Sequence, residues 1–297
     1  MRREKLFSKD GCYSRVLANN VLLHDVAVSY GTRVVKNLLK NHEPARMIRV
    51  LDLACGAEPV SISKILNHFP ERRLSYTGID INPDQVSFAR HQFHFPANIQ
   101  ETIIFEGNAW DPRSSIPQGQ YDLVFMGLNL HHGTPEEVYY LATQLSAILD
   151  PQGVFISHDV FRPDDQAYQR RPDHHPLNKD ESFRLLEAGC VADVQLPAIT
   201  AQELGSDTPM AKWRQDYNEL IHRTLIERGV GRECADLTYQ HTTVRDYPIS
   251  LADFRYIFEQ AEQDFKVKTI RYGHIQPLMD YIAMALVSKD HHLLDEQ

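Results

Sequence analysis

Val50-Leu51-Asp52-Leu53-Ala54-Cys55-Gly56 is the stretch whose reading decides the fold of this chain. The apolar run, interrupted only by Asp52, reads as a short buried strand. Ala54, Cys55 and Gly56 have small side chains and suit a tight turn. Pro59-Val60-Ser61-Ile62 then opens a helical pattern with proline in its first turn. A strand, a turn free of bulk and a helix N-terminus together bring backbone N–H groups up to a nucleotide-like ligand.

Upstream of this turn, Leu23, Val26, Ala27, Tyr30, Val34 and Leu38 recur at helical spacing, so 13–39 reads as one or two helices. Gly31 is the expected point of interruption. Such a leading helix can close over a ligand, with Tyr13 or Tyr30 facing it. Downstream, strands are expected at 74–79, 102–105, 121–130 and 154–157, each separated from the next by a helix or loop. Asn82-Pro83-Asp84-Gln85 has the form of a helix start, with an Asn cap and Gln three residues later. Alternating strands and helices imply βαβ units and a mainly parallel sheet. Right-handed crossovers then set the loops after strands one to five along one rim.

The alternation stops after Phe161. The segment 162–179 is broken by Pro163, Pro172 and Pro176, 181–188 reads as a short helix, and 209–227 as an amphipathic one with Trp213, Tyr217, Leu220, Ile221 and Leu225 on one stripe. At Ser250-Leu251-Ala252-Asp253 a capping-box pattern restarts the α/β order, and strands follow near 265–272 and 280–287. The intervening block is an insertion beside the ligand rim, read as a lid. The fold class is therefore α/β, a Rossmann-like seven-stranded mostly parallel sheet with helices on both faces and a helical lid insertion after strand five.

The totals exclude some functions. A net charge of −9, from 31 Lys and Arg against 40 Asp and Glu, lacks the basic footprint of a nucleic-acid binder. No run reaches the ~18 apolar residues of a membrane span, and the charged N-terminus has no apolar stretch behind it. The four cysteines, Cys12, Cys55, Cys190 and Cys234, are dispersed and form no C-x-x-C pair. A cytoplasmic location with free thiols is expected from that dispersion. No metal site is expected, because His131, His132, His158 and Asp159 lack helix-face ligand spacing.

Several chemical signals close successive strands. Asp80 ends the second, where an acid hydrogen-bonds both hydroxyls of a ribose. Asn108 follows the third, and its amide can pair with an adenine edge while Trp110 covers the ring. His131 and His132 end the fourth, and His158 with Asp159 ends the fifth. Histidine titrates near neutrality and suits a general base; positioning alone is the alternative.

Taken together, these motifs resemble a class I S-adenosylmethionine-dependent methyltransferase of the small-molecule type. V-L-D-L-A-C-G-A-E-P, Y-T-G-I-D-I-N-P, E-G-N-A, Y-D-L-V-F-M-G-L-N-L-H-H and L-D-P-Q-G-V-F-I stand in the family's order and spacing. The resemblance implies S-adenosyl-L-methionine as cofactor. Asp52, Ala54, Cys55 and Gly56 would contact its methionine portion, Asp80 and Ile81 the ribose end, and Asn108, Ala109 and Trp110 the adenine. Met126 and Gly127 would line the sulfonium, with Tyr13 and Tyr30 above. It implies a division into an N-terminal helical cap (1–45), a cofactor-binding core (46–161), a helical lid (162–249) and the end of the core (250–297). The implied activity is methyl transfer to O or N of a small organic molecule, with His131, His132 or His158 as base. Methylation of tRNA or protein, and a non-catalytic member that lost cofactor binding, are the rival readings; an oligomer is compatible with all three. Two departures stand out. Ala54 replaces a family glycine, and Glu58 either sets a carboxylate where the cofactor's own carboxylate is expected or, in a register one residue shorter, matches with Pro59 the E-P that follows the turn in some relatives.

Overall fold

The computed structural model describes residues 12–162, 209–245, 248–272 and 281–295. Cys190, the helix expected over 181–188 and the Arg170-Arg171 and His174-His175 pairs lie outside them. The elements in chain order begin with α1 (Cys12–Ala18), α2 (His24–Lys40), β1 (Ile48–Leu53), α3 (Val60–Asn67), β2 (Leu74–Asp80) and α4 (Pro83–His91). They continue with β3 (Ile99–Glu106), β4 (Tyr121–Gly127), α5 (Pro135–Ile148) and β5 (Leu149–Val160). From residue 209 onward come α6 (Pro209–Glu227), α7 (Arg232–Arg245), α8 (Leu251–Ala261), β6 (Lys266–Arg271), β7 (Ile282–Ser288) and α9 (His291–Asp295).

The seven strands form one sheet in the order β3-β2-β1-β4-β5-β7-β6. All pairs from β3 to β5 are parallel, and β7 runs antiparallel to both of its neighbours. The winding reverses between β1 and β4, and the crevice outside the carboxyl ends of two such strands is where open α/β sheets bind ligands. Side chains alternate across the sheet. Val50, Leu123, Phe125 and Ile156 pack on one face with α2, α3 and α6, while Leu51, Leu53, Val124 and Phe155 pack on the other with α5 and α8. Tyr217, Leu220, Ile221 and Leu225, four members of the stripe expected on α6, are all buried in the first core.

The leading helix breaks in two, but not at Gly31. The break is at Asn20–Leu23, where Asn20 and Leu23 take positive φ of 49° and 58°. Gly31 lies inside α2, and a Cβ there would sit 2.5 Å from Ile65 Cδ1, so glycine lets α2 approach α3. Strand β4 also ends earlier than 130. Leu128 turns at φ 53° and a 3₁₀ turn follows at Leu130–His132. The cause is Asp159 on the adjacent strand, whose carboxylate accepts the N–H groups of Asn129 at 2.9 Å and Leu130 at 2.6 Å and draws the chain out of the ladder.

The insertion leaves and returns at one point. Arg162 bridges to Ser250, its N–H donates to the Ile249 carbonyl at 3.2 Å, and its guanidinium pairs with Asp253. The Ser250 hydroxyl caps the Asp253 N–H at 3.0 Å. The two ends of the insertion are therefore pinned to each other.

The expectation of free thiols is corrected at two positions. Cys12 of α1 and Cys234 of α7 are joined in a disulfide, with Cα atoms 5.1 Å apart across 222 residues of sequence. Separation along the chain says nothing about distance once α7 packs on α1. Cys55 remains a free, buried thiol. Among the described residues, no helix is long and apolar enough to cross a membrane.

Candidate active site

The cavity at the β1/β4 crevice is walled by the motif turn after β1, the first turn of α3, Gln85 of α4 and the end of β4, and roofed by Tyr13 and Leu17 of α1. Of the residues expected at a cofactor, Tyr13, Asp52, Ala54, Cys55, Gly56 and Gly127 line it. The turn's shape follows from its sequence. Ala54 and Gly56 take left-handed φ of 56° and 65°, which costs an alanine about 1 kcal/mol and a glycine almost nothing.

Side chains from α4's approach hold that turn. Asp80 accepts the Gly56 N–H on Oδ2 at 2.9 Å and the Asn82 N–H on Oδ1 at 2.9 Å. Asn82 caps α4 as its sequence suggests, accepting the Asp84 N–H at 2.9 Å. Gln85 does not complete a capping box. Its Oε1 reaches across and accepts the Ala57 N–H at 2.5 Å. Ile81 is 65% exposed beside the turn. The Asn108 side-chain oxygen accepts the Trp110 N–H at 3.0 Å, Ala109 is buried, and Trp110 packs its indole against Gly133.

Asp52 lies deep in the cavity wall and accepts the Tyr76 hydroxyl at 2.7 Å. Burial pushes its carboxyl up to about 7, opposed by the Tyr76 hydrogen bond. Burial likewise raises the Cys55 thiol, so it is not a reactive thiolate at neutral pH. The Asp52 shift has a consequence for stability. An acid with a folded pKa above its unfolded value stabilises the fold below the unfolded pKa, and that contribution is lost as pH rises through the folded pKa. The window is from about 3.8 to about 7. Asp52→Asn, which resembles the protonated form, is expected to gain stability relative to wild type from pH 4.5 to pH 8, by on the order of 3–4 kcal/mol. Urea unfolding at the two pH values measures this; a difference that is the same at both would refute the assignment.

The second part of the site is a histidine cluster at the ends of β4 and β5. His131 Nδ1 lies 2.5 Å from Asp159 Oδ1. Asp159 is fully buried and also accepts the Val160 N–H at 2.7 Å. Because the carboxylate can only accept, it fixes the proton on Nδ1 and the lone pair on Nε2 of His131. His132 lies beside it, ring centroids 4.0 Å apart, and His241 of α7 reaches within 5.1 Å of His132. Tyr13 connects the two parts: burial, then the fields of Asp159 and Asp80, push its phenol well above the ordinary value, so it acts as a hydrogen-bond donor.

Asp80, Ile81, Asn108, Ala109 and Trp110, like His131 and His132, do not themselves line the cavity, and three further expected residues are turned away from it. Met126 is fully buried in the core on the opposite sheet face from the cavity, because strand alternation turns Phe125 and not Met126 toward it. Tyr30 stacks on Tyr272 at 5.4 Å with the Arg33 guanidinium over its ring at 4.9 Å, and it does not line the cavity. His158 is fully buried with both ring nitrogens engaged, Nδ1 with the Tyr272 hydroxyl at 2.7 Å and Nε2 with the Leu22 carbonyl at 3.0 Å. Burial lowers its pKa to about 4. Two residues to which the sequence reading gave no site role line the cavity. His24 of α2 lines the cavity and pairs with Ser61 of α3, Nδ1 to Oγ 2.7 Å. Among the described residues one set of possible metal ligands gathers, His42, Asp122 and Asp150, but the Arg46 guanidinium occupies it, 2.5 Å from Asp122 and 3.2 Å from Asp150.

Comparison with known proteins agrees with this geometry. Residues 50–153 match the family model described as a methyltransferase domain. An uncharacterized methyltransferase of Synechocystis sp. is 25% identical over 115 residues, 39% of this chain and 48% of that one. The chain thus spans about half the length of this curated relative. The plantazolicin methyltransferase BamL, solved with a triazolic desmethylPZN analog and SAH, superposes with a TM-score of 0.53 at 12% identity, covering 97% of this chain and 94% of that one. Its counterpart BpumL gives 0.50 at 13% identity, covering 96% and 92%. Such likeness shows the fold. The family match covers residues 50–153, and the strand order and motif turn agree with a methyltransferase domain there.

Proposed function

We propose that this chain transfers a methyl group from S-adenosylmethionine to O or N of a small organic acceptor, with His131 as general base. The observation that carries the reading is Tyr13, which lines the motif-turn cavity and lies in the field of both Asp80 and Asp159, the acid that holds His131 at the end of β4. The residues fit the cofactor: backbone turned outward at Gly56, an acid beside it at Asp80, and an exposed apolar Ile81 for a planar base to cover. When bound, the cofactor supplies an electrophilic methyl group on a cationic sulfur.

The remaining roles follow from the chain. Each Asp80 oxygen accepts a backbone N–H, and a carboxylate oxygen accepts more than one hydrogen bond, so Asp80 is the residue that receives the ribose hydroxyls. Asn108 and Ala109 border the adenine end. His131 Nε2 takes the proton of an acceptor hydroxyl as its oxygen attacks, or takes one from an ammonium beforehand so that the free amine can attack, and Asp159 stabilises the imidazolium that results. His158, kept neutral by burial and tied to Tyr272 and the Leu22 carbonyl, positions the α1–α2 junction and is not the base. The α6–α7 pair, which brings His241 to His132, encloses the acceptor side and favours a compact substrate over a macromolecule. The net charge of −9 also argues against RNA. Calorimetry with S-adenosylhomocysteine is the test. Micromolar binding is expected; no heat at high micromolar ligand would instead favour a fold that has lost its cofactor, with Ala54 and Glu58 as the cause.

A further inference from the structure

His24 is 7% exposed, lines the motif-turn cavity, and has one ring nitrogen, Nε2, that is buried without a hydrogen-bond partner. A buried polar atom left unmade costs about 1–3 kcal/mol, so its retention calls for an explanation. The ring is not loosely held. Nδ1 bonds Ser61 Oγ at 2.7 Å, and the His158 ring lies edge-on with centroids 5.8 Å apart. Packing alone would be served by a leucine or phenylalanine.

We infer that His24 Nε2 donates a hydrogen bond to the carboxylate at the amino-acid end of the cofactor, an inference that rests on the cofactor reading above. The direction follows from the turn. Asp80 holds Gly56 and Gln85 holds Ala57, which marks the ribose side. Further along the chain, the first turn of α3 brings Ser61, and with it His24, to the far side of the same cavity. Two charged groups must be met there. Asp52 suits the ammonium. For the carboxylate, the described lining residues include neither Lys nor Arg, and Glu58 adds an unfavourable negative charge. In the proposed tautomer the Ser61 hydroxyl donates to Nδ1 and the proton sits on Nε2, which makes the ring a donor there. Burial, with lesser contributions from His158 and Lys64, lowers the His24 pKa to about 3, so the contact is a hydrogen bond from a neutral ring.

The experiment is calorimetry on the full chain with two ligands: S-adenosylhomocysteine, and 5′-deoxy-5′-methylthioadenosine, which lacks the amino-acid end. His24→Phe keeps the ring's bulk and removes the donor. It is expected to weaken S-adenosylhomocysteine by about 10- to 100-fold and to leave methylthioadenosine within about twofold. His24→Gln, whose amide N–H can replace the donor, should recover most of the loss. Ser61→Ala, which frees the ring without altering it, should cost less and spare methylthioadenosine likewise. The inference is overturned if His24→Phe and His24→Gln both bind S-adenosylhomocysteine as wild type does. It is equally overturned if the variants lose both ligands in proportion. A wild-type chain that binds neither ligand would bring down the cofactor reading itself.

Discussion

His131→Ala is expected to lower turnover by about 10²- to 10⁴-fold, the usual contribution of a positioned general base, while leaving S-adenosylhomocysteine affinity within about twofold. The separation follows from geometry. His131 is held at the end of β4 by Asp159 at 2.5 Å, whereas Asp80 and the motif turn are braced by each other. Asp159→Asn should cost nearly as much. An amide can no longer act only as acceptor, so the imidazole loses its fixed tautomer, and the N–H groups of Asn129 and Leu130 lose a charged partner. Since the two residues act as a unit, the double variant should be little worse than either single one. The readout is S-adenosylhomocysteine release with an acceptor drawn from a screen of phenols, alcohols and amines. If His131→Ala and His132→Ala both turn over at the wild-type rate, positioning alone carries the reaction and no base is needed.

Asp80→Ala is expected to weaken S-adenosylhomocysteine by more than 100-fold. Hydrogen bonds to a charged group contribute ~1.5–3 kcal/mol each, and the substitution removes those to the ribose hydroxyls. It also frees the N–H groups of Gly56 and Asn82, which Asp80 now holds at 2.9 Å each, so the turn loses the shape that receives the ligand. Asp80→Asn should fall between the two: one oxygen remains, but its NH₂ must face one of those backbone donors. Calorimetry ranks the three proteins. An Asp80→Ala chain with unchanged affinity would mean that the end of β2 does not bind the ribose.

The parallel core was legible because its signals are local. Apolar runs such as Val50–Leu53, the small turn at Ala54–Gly56 and the Asn82 cap each depend on neighbours within a few residues, and the structure realises them. The ends of elements were less legible. Strand β4 stops at Gly127 because Asp159, on another strand, competes for the next N–H groups. Gln85 has the spacing of a capping residue, yet its amide is used across the cavity on Ala57. His158 and His131 looked equivalent as strand-end histidines. They differ only through what packs on them: Tyr272 and Leu22 enclose one, and Asp159 orients the other.

By itself, the sequence determined the βαβ order, the motif turn, the acid after β2 and the position of the insertion, since period, turn chemistry and spacing are properties of contiguous residues. Tertiary structure alone decided the rest. It placed Met126 and Tyr30 away from the cavity, joined Cys12 to Cys234, and brought His24 against Ser61, 37 residues further along the chain. These are long-range contacts made when helices dock on a sheet, and no local pattern encodes which buried side chain will face a cavity and which will face the core.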